Sequence, residues 1–183
     1  GSARGGRAAR GPRRQPAPAP LKTVGGERHN GTMSESTIQD LHAEDGIALR
    51  AAIDAPIETV WSFLRDPANH ARIDGSQMVR AAVGQEPLEH VGQVFVMEML
   101  WTDGTTQYRT ENHVTRYDLE HRQEPQGWAW GWILRSTPED TTEVVNYCDW
   151  SQTSEQTRQA KGFPVVEKEK IEATLHRLAD ELS

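Results

Sequence analysis

The chain has 183 residues and a formal net charge of −7, and its length suits one domain with a tail. Residues 1–32 contain seven basic residues and one acidic residue, so the rest of the chain carries a net charge of −13. Phosphate contacts need clustered Lys and Arg, so this acidic body argues against nucleic-acid binding by the folded part.

The basic tail lacks the apolar side chains that would offset the entropy lost on ordering, so we expect residues 1–32 to be disordered. Its opening Gly-Ser is typical of a cloning remnant, and Met33 is a candidate natural start. The tail is therefore either an artificial or start-site extension or a basic arm for anionic lipid or nucleic acid. We interpret residues 33–45 as a lead-in and residues 46–183 as the folded domain.

Membrane insertion and export are not indicated, because no apolar run is long enough for a signal peptide or a membrane span. Cys148 is the lone cysteine, so no internal disulfide forms, which fits a reducing cytoplasm. We therefore expect a cytoplasmic protein.

The folded part begins with an alternating segment, residues 47–53, that predicts a strand. Pro56 suits the first helical position, and an apolar stripe predicts a short helix formed by Ile57, Val60, Trp61 and Leu64. Asp66 precedes Pro67 and is pushed out of helical geometry, so the helix ends there. The same Asp66 is expected to cap a second short helix to about Arg72, before a turn at Asp74-Gly75-Ser76.

Strand-like patterns dominate the middle of the chain. The predicted strands are 78–84, 93–101, 105–117, 119–124, 128–134 and 141–150. Residues 151–162 are polar and predict a loop. Residues 164–182 then predict a long helix, because one face carries Ile171, Leu175, Leu178 and Leu182. This order predicts an α+β fold in which a helix crosses a curved antiparallel sheet and leaves a cavity between them.

The first helix and its flanks also carry a family pattern. The run from Ile53 to Trp61, followed by Asp66-Pro67, His70 and Asp74-Gly75, resembles the START-like helix-grip superfamily, also called SRPBCC, which includes bacterial polyketide cyclases. Further matching positions are Gly92, Val114-Thr115, Trp128 to Trp130, Thr142 to Val144 and Tyr147 to Ser151. The resemblance covers about residues 46–182. It implies a curved antiparallel sheet wrapped around a long C-terminal helix, with two short helices after the first strand.

The resemblance implies a bacterial protein that binds a small hydrophobic or aromatic metabolite in its internal cavity. One alternative is a polyketide cyclase/aromatase-type enzyme that uses acid/base residues of the pocket. Such enzymes commonly carry an Arg on the long middle strand, where this chain reads Asn112-His113-Val114. A second alternative is a ligand-sequestering resistance protein or an interaction protein. Ligand identity and oligomeric state are left open.

Two strands supply most of the candidate ligand contacts. On one strand, Trp128, Trp130 and Trp132 share a face and form either a core ladder or an aromatic wall. On strand 105–117, the alternatives are an inward face with Tyr108, Thr110, Asn112 and Val114, which we favour, or one with Arg109, Glu111 and His113. The predicted ligand-contacting residues are Trp61, Tyr108, Thr110, Asn112, Val114, Trp130, Trp132 and Asn146.

Catalytic, metal and cofactor motifs are not recognisable in the sequence. The seven histidines lack zinc-site spacing, so we predict no metal and no cofactor. Cys148 has no neighbouring base in the sequence and is expected to be a buried, inert thiol. Glu98 is expected to face solvent, with a buried acid of raised pKa as the alternative. Asn146 is predicted to pair with Asn112 inside the pocket.

Overall fold

The computed structural model describes residues 37–84, 86–117, 119–124 and 126–183. The predicted tail of residues 1–32 lies outside these residues. In the part of the chain that is described, no helix has both the length and the apolar character needed to cross a membrane.

The first long strand and the first helix form as predicted. Strand β2 (Gly46–Ile53) is followed by helix α1 (Ile57–Leu64). Pro56 is the N-cap of α1 rather than its first helical residue, and its carbonyl accepts the first helical hydrogen bond, from Thr59 N at 3.0 Å. The apolar stripe anchors the helix, since Val60 and Leu64 are fully buried.

A sharp corner follows α1, also as predicted. Asp66 has extended backbone geometry, and its carboxylate accepts a hydrogen bond from Ala68 N at 3.0 Å. It thereby caps a short 3₁₀ turn, Pro67–Asn69, which continues into helix α2 (His70–Ile73).

The turn after α2 packs directly on the C-terminal helix. Gly75 N–H donates to Thr174 Oγ1 at 2.9 Å, and the Arg177 side chain donates to the Asp74 carbonyl at 2.8 Å. A Cβ at Gly75 would lie 2.1 Å from the carbonyl oxygen of Lys170, closer than any side chain allows. Glycine is therefore required where the turn meets the helix.

The remaining strands are β1 (Gln39–Asp40), β3 (Val79–Val83), β4 (Val94–Leu100), β5 (Gln107–Arg116), β6 (Glu120–Glu124), β7 (Ala129–Ser136) and β8 (Thr142–Asp149). Together with β2 they form one antiparallel sheet in the order β1-β2-β8-β7-β6-β5-β4-β3. All six strands predicted after the corner are present. The two-residue β1 was not predicted; it falls in the presumed lead-in and pairs with β2.

The region before the last helix differs from the prediction. Residues 151–162 contain helix α3 (Glu155–Lys161) and not only a loop; Ser154 Oγ caps it by accepting from Thr157 N at 3.1 Å. No residue of α3 is buried, so it has no apolar stripe to reveal it. Helix α4 (Lys168–Leu182) begins later than residue 164 and packs on β2, β8 and α2. The α+β fold with a long C-terminal helix is confirmed.

Candidate ligand cavity

A cavity of about 120 Å³ lies between the inner face of the sheet, α2 and the segment leading into α4. Engineered cavities of roughly 150 Å³ hold benzene, so this one has room for about one aromatic ring. The side chains around it are mostly apolar or aromatic. Its lining residues are His70, Ile73, Asp74, Ser76, Met78, Val79, Phe95, Met97, Met99, Trp101, Tyr108, Thr110, Asn112, His121, Gln123, Trp128, Trp130, Trp132, Asn146, Cys148, Phe163, Val165, Val166 and Thr174.

The tryptophans of β7 and its preceding residue form one wall. Trp128, Trp130 and Trp132 all line the cavity, which agrees with the aromatic-wall interpretation. The Trp128 ring also meets Phe163 edge-on, with ring centroids 5.4 Å apart. The wall is therefore held partly by the segment that precedes α4. Ligand contact by Trp130 and Trp132 stays a prediction.

The inner face of β5 is the one that we favoured from the sequence. Tyr108, Thr110 and Asn112 line the cavity, while Val114 is buried in the core outside the lining. The Asn112 amide nitrogen donates to Thr110 Oγ1 at 3.1 Å and approaches the carbonyls of Thr110 and Phe95 at 3.3 and 3.5 Å. Among the described residues, nothing donates a hydrogen bond to the buried Oδ1 of Asn112.

The charged face of β5 points outward, away from the cavity. Arg109 donates to Glu98 Oε1 at 2.8 Å, and Glu98 is 47% exposed, so this acid faces solvent. His113 Nε2 lies 2.7 Å from Glu111 Oε1, and both side chains are at least a third exposed. An inward acid/base cluster on this strand is therefore excluded.

Two histidines that were not predicted as site residues lie at the inner end of the cavity. The rings of His70 and His121 stack with centroids 6.2 Å apart, and the Phe95 ring meets His121 edge-on at 4.9 Å. His70 Nε2 is 2.8 Å from the Leu64 carbonyl, so this nitrogen donates. The sequence does contain a signal for His121. From Leu119 to Glu124, charged residues occupy only every second position, so His121 lies on the opposite, uncharged face of the strand.

Both imidazoles are held uncharged. Burial, together with repulsion from His70, lowers the pKa of His121 to about 3. Burial likewise lowers the pKa of His70, against the opposing effect of its hydrogen bond to the Leu64 carbonyl. The Nδ1 atom of His121 is buried and has no hydrogen-bond partner within the described ranges.

Solved structures share this architecture. A protein from Mycobacterium smegmatis is similar with a TM-score of 0.57 and 14% identity over 80% of this chain and 98% of that chain. An aromatase/cyclase from Streptomyces sp. R1128 gives a TM-score of 0.51 and 15% identity over 80% and 94%. The chain has the START-like helix-grip fold. An AHSA1-like protein from Aeromonas hydrophila, at 22% identity and a TM-score of 0.50, covers 75% of this helix-grip chain and 95% of its own.

Sequence comparison adds nothing to the structural likeness, because no family model matches this helix-grip chain and no curated protein matches it. Identities below 25% show a shared fold only, and the fold hosts unrelated activities. Function must therefore be argued from the cavity of this chain.

Two further residues were predicted to contact the ligand. Trp61 packs edge-on against Tyr117 at 5.3 Å and is not part of the cavity lining. Asn146 lines the cavity, but its amide donates to the Gly131 carbonyl at 3.1 Å. Strands β6 and β7 separate Asn146 on β8 from Asn112 on β5, so the predicted pairing of the two amides is wrong.

The cavity lining also includes the cysteine, but no group of metal ligands is found among the described residues. Cys148 lines the cavity, and burial raises the pKa of its thiol, with a smaller contribution from Asp149. A thiol that stays protonated is a poor nucleophile, in line with the expectation of an inert group. Across the residues described, no three His, Cys, Asp or Glu side chains are grouped to hold a metal ion.

Proposed function

We propose that the protein binds a small hydrophobic or aromatic metabolite inside the cavity. The observation that carries the proposal is an unfilled, ring-sized volume enclosed mainly by apolar and aromatic side chains. Protein interiors are normally packed without such voids, and a pocket with a few polar groups is the usual form of a small-molecule site.

The size of the cavity sets the affinity that we expect. A single-ring ligand of about eight heavy atoms, at roughly 0.6–0.8 kcal/mol per atom, gives a dissociation constant of roughly 20 µM to 0.3 mM. A polycyclic ligand would need the cavity to widen. We therefore expect single-ring compounds to bind more tightly than polycyclic phenols or fatty acids.

The mouth of the cavity is formed by partly exposed residues. Phe163 and Val166, in the segment before α4, line it on one side, and Trp101 and Tyr108 line it on the sheet side. The Lys161 ammonium lies 4.9 Å from the Trp101 ring centroid and links α3 to the sheet. We expect ligands to pass between these two sides.

A polyketide cyclase/aromatase-type enzyme remains the second candidate, because two imidazoles lie at the inner end of the cavity. The lowered pKa of His121 argues against that role, since an efficient general base titrates near the working pH. Binding without chemistry is therefore the function that the site supports best. Sequestration or resistance would use the same cavity. A cytoplasmic location stays a proposal that rests on the lone cysteine of the sequence.

The proposal is tested by tryptophan fluorescence, because four of the six tryptophans line the cavity. We expect saturable quenching by single-ring aromatic compounds in a titration. Cys148→Leu adds bulk to the cavity wall and should weaken binding by about tenfold or more. His113→Leu, a substitution on the outer face, serves as the control and should keep the affinity of the unaltered protein.

One result would reject the proposal. If single-ring aromatics, polycyclic phenols and fatty acids all fail to give saturable quenching in a folded sample, the cavity is not a ligand site. Equal affinities of the Cys148→Leu and unaltered proteins would place binding elsewhere on the molecule.

A further inference from the structure

Resting on the proposed function, we infer that the ligand is a neutral single-ring aromatic compound with a hydroxyl group that donates a hydrogen bond to Asn112 Oδ1. The inference concerns the chemical class of the ligand. It depends on the orientation of one buried amide, on the histidine beside it and on the charges around the cavity.

The orientation of the Asn112 amide is fixed by its neighbours. Its nitrogen lies next to three oxygen atoms, the Thr110 hydroxyl and the carbonyls of Thr110 and Phe95. The two carbonyls are acceptors only, so rotating the amide by half a turn would set oxygen against oxygen. Oδ1 must therefore face away from them, and this acceptor has no donor among the described residues although Asn112 is only 1% exposed.

A second buried polar atom without a partner lies close by on the same face of the sheet. Asn112 is paired in register with Gln123 of β6, and His121 is two residues along that strand, so both side chains point inward. Phe95, the β4 partner of Asn112, contacts the His121 ring. The unpartnered Nδ1 of His121 therefore belongs to the same end of the cavity as Asn112.

Leaving buried polar atoms unpaired is costly, typically about 1–3 kcal/mol for each group. A hydroxyl group both donates and accepts a hydrogen bond. It can donate to Asn112 Oδ1 while its oxygen accepts from Nδ1 of His121, in the neutral tautomer that carries the proton on this nitrogen. A hydrocarbon of the same size would fill the apolar volume but leave both atoms unpaired.

The charges around the cavity exclude an anionic ligand. No Lys or Arg is among the lining residues, and Asp74 is the only Asp or Glu among those that the described chain contributes. Its carboxylate already accepts hydrogen bonds from the backbone N–H groups of Ser76 and Val79, at 2.9 and 2.8 Å. A carboxylate ligand would lose its hydration and find no counter-ion.

Three single-ring ligands that carry the same methyl group test the inference by calorimetric titration at about pH 7: 4-methylphenol, toluene and 4-methylbenzoate. The phenol is neutral there, because phenolic groups titrate near about pH 10. We expect 4-methylphenol to bind about tenfold more tightly than toluene, and 4-methylbenzoate to bind about a hundredfold more weakly than the phenol. Equal binding of phenol and toluene, or tighter binding of the benzoate, overturns the inference while the proposed function stands.

The variant Asn112→Leu tests whether Asn112 causes the preference for 4-methylphenol over toluene. Asn112→Leu removes the acceptor, so the preference for phenol over toluene should disappear while toluene affinity stays within about threefold. The matched control on the same strand is His113→Leu, which should retain the tenfold preference. A preference that survives Asn112→Leu overturns the assignment. Should that variant fail to fold, the three-ligand comparison on the unaltered protein decides. Failure of all three ligands to bind overturns the inference, whereas the proposed function is rejected only if polycyclic phenols and fatty acids also fail in the fluorescence titration.

Discussion

The two faces of β5 differ in the exposure and the pairing of their polar side chains. On the outer face, Arg109 and His113 are paired with Glu98 and Glu111 at 2.8 and 2.7 Å, in contact with water. On the inner face, Asn112 is sealed from water and one of its acceptor positions is unused. The charged groups of the outer face are thus paired with one another, whereas the buried Asn112 keeps an acceptor without a donor among the described residues.

The difference shows why polarity alone is a poor guide to a site. The outer face holds more ionisable groups, yet each has a nearby partner and solvent. The inner face is nearly apolar, and its few polar atoms carry a high energetic cost if they stay unpaired. Four predictions test this contrast, from the largest expected effect to the smallest.

The largest effect is expected from acid, through His121. The unfolded chain takes up a proton on this residue below about pH 6.5, but the folded protein does so only near pH 3, where the lowered pKa lies. Stability should therefore fall as the pH is lowered through this window, by up to about 4 kcal/mol. Urea unfolding at a series of pH values measures the loss, and His121→Leu should reduce it, leaving the part that comes from the buried His70.

The control for this experiment is the exposed histidine of the outer face. His113→Leu should leave the pH dependence close to that of the unaltered protein. An unchanged pH dependence in His121→Leu would mean that the inner face does not keep this imidazole neutral.

A smaller effect on stability is expected at Gly131, where the outer face of the sheet is closely packed. A Cβ at Gly131 would lie 2.1 Å from Cζ of Tyr147, whose hydroxyl donates to Glu120 at 2.6 Å. Gly131→Ala should cost about 2–3 kcal/mol of unfolding free energy, because the tyrosine ring must move. In the double variant with Tyr147→Leu, urea unfolding should show a loss of stability smaller than the sum of the losses in the two single variants. Strict additivity would show that the ring does not fill this space.

The mouth of the cavity should respond weakly. Lys161→Met removes the cation–π contact with Trp101, worth about 0.5–1 kcal/mol at an exposed position. We expect the ligand dissociation rate, followed by stopped-flow fluorescence, to rise about threefold. Lys170→Met, an exposed change on α4, is the control, and an equal rise in both variants would contradict a role for the contact.

The smallest effect is expected from the outer ion pair. Glu98→Gln should change the free energy of unfolding by less than about 0.5 kcal/mol, as is usual for exposed pairs. Ligand affinity should stay within about twofold. A large loss of binding in this variant would mean that the outer face participates in the site after all.

The sequence predicted those parts of the fold that local signals determine. Pro56, Asp66 and Pro67 act on their immediate neighbours, so the corner between α1 and α2 could be placed without knowing the rest of the chain. The alternation of Trp130 and Trp132 with smaller residues likewise fixed the inward face of β7. Helix α3 was missed because it buries nothing and depends on a single cap at Ser154.

The candidate site was harder to predict because it depends on which strands are neighbours. Asn112 and Asn146 were each assigned to the cavity, but the sheet order places two strands between them. His121 was overlooked because its strand is short and charged, and only pairing with β5 and β7 shows that the imidazole faces inward. The alternation of charged residues from Leu119 to Glu124 places His121 on the uncharged face of its strand, but it does not show which strands are its neighbours.

The close approach at Gly75 determines which side of the molecule can open. The turn contacts the backbone of the first half of α4 there, and the hydrogen bonds to Thr174 and from Arg177 hold the same region. These contacts fix the position of α4 relative to the turn. We therefore expect a ligand to enter beside the segment before α4, where Phe163, Val165 and Val166 line the cavity.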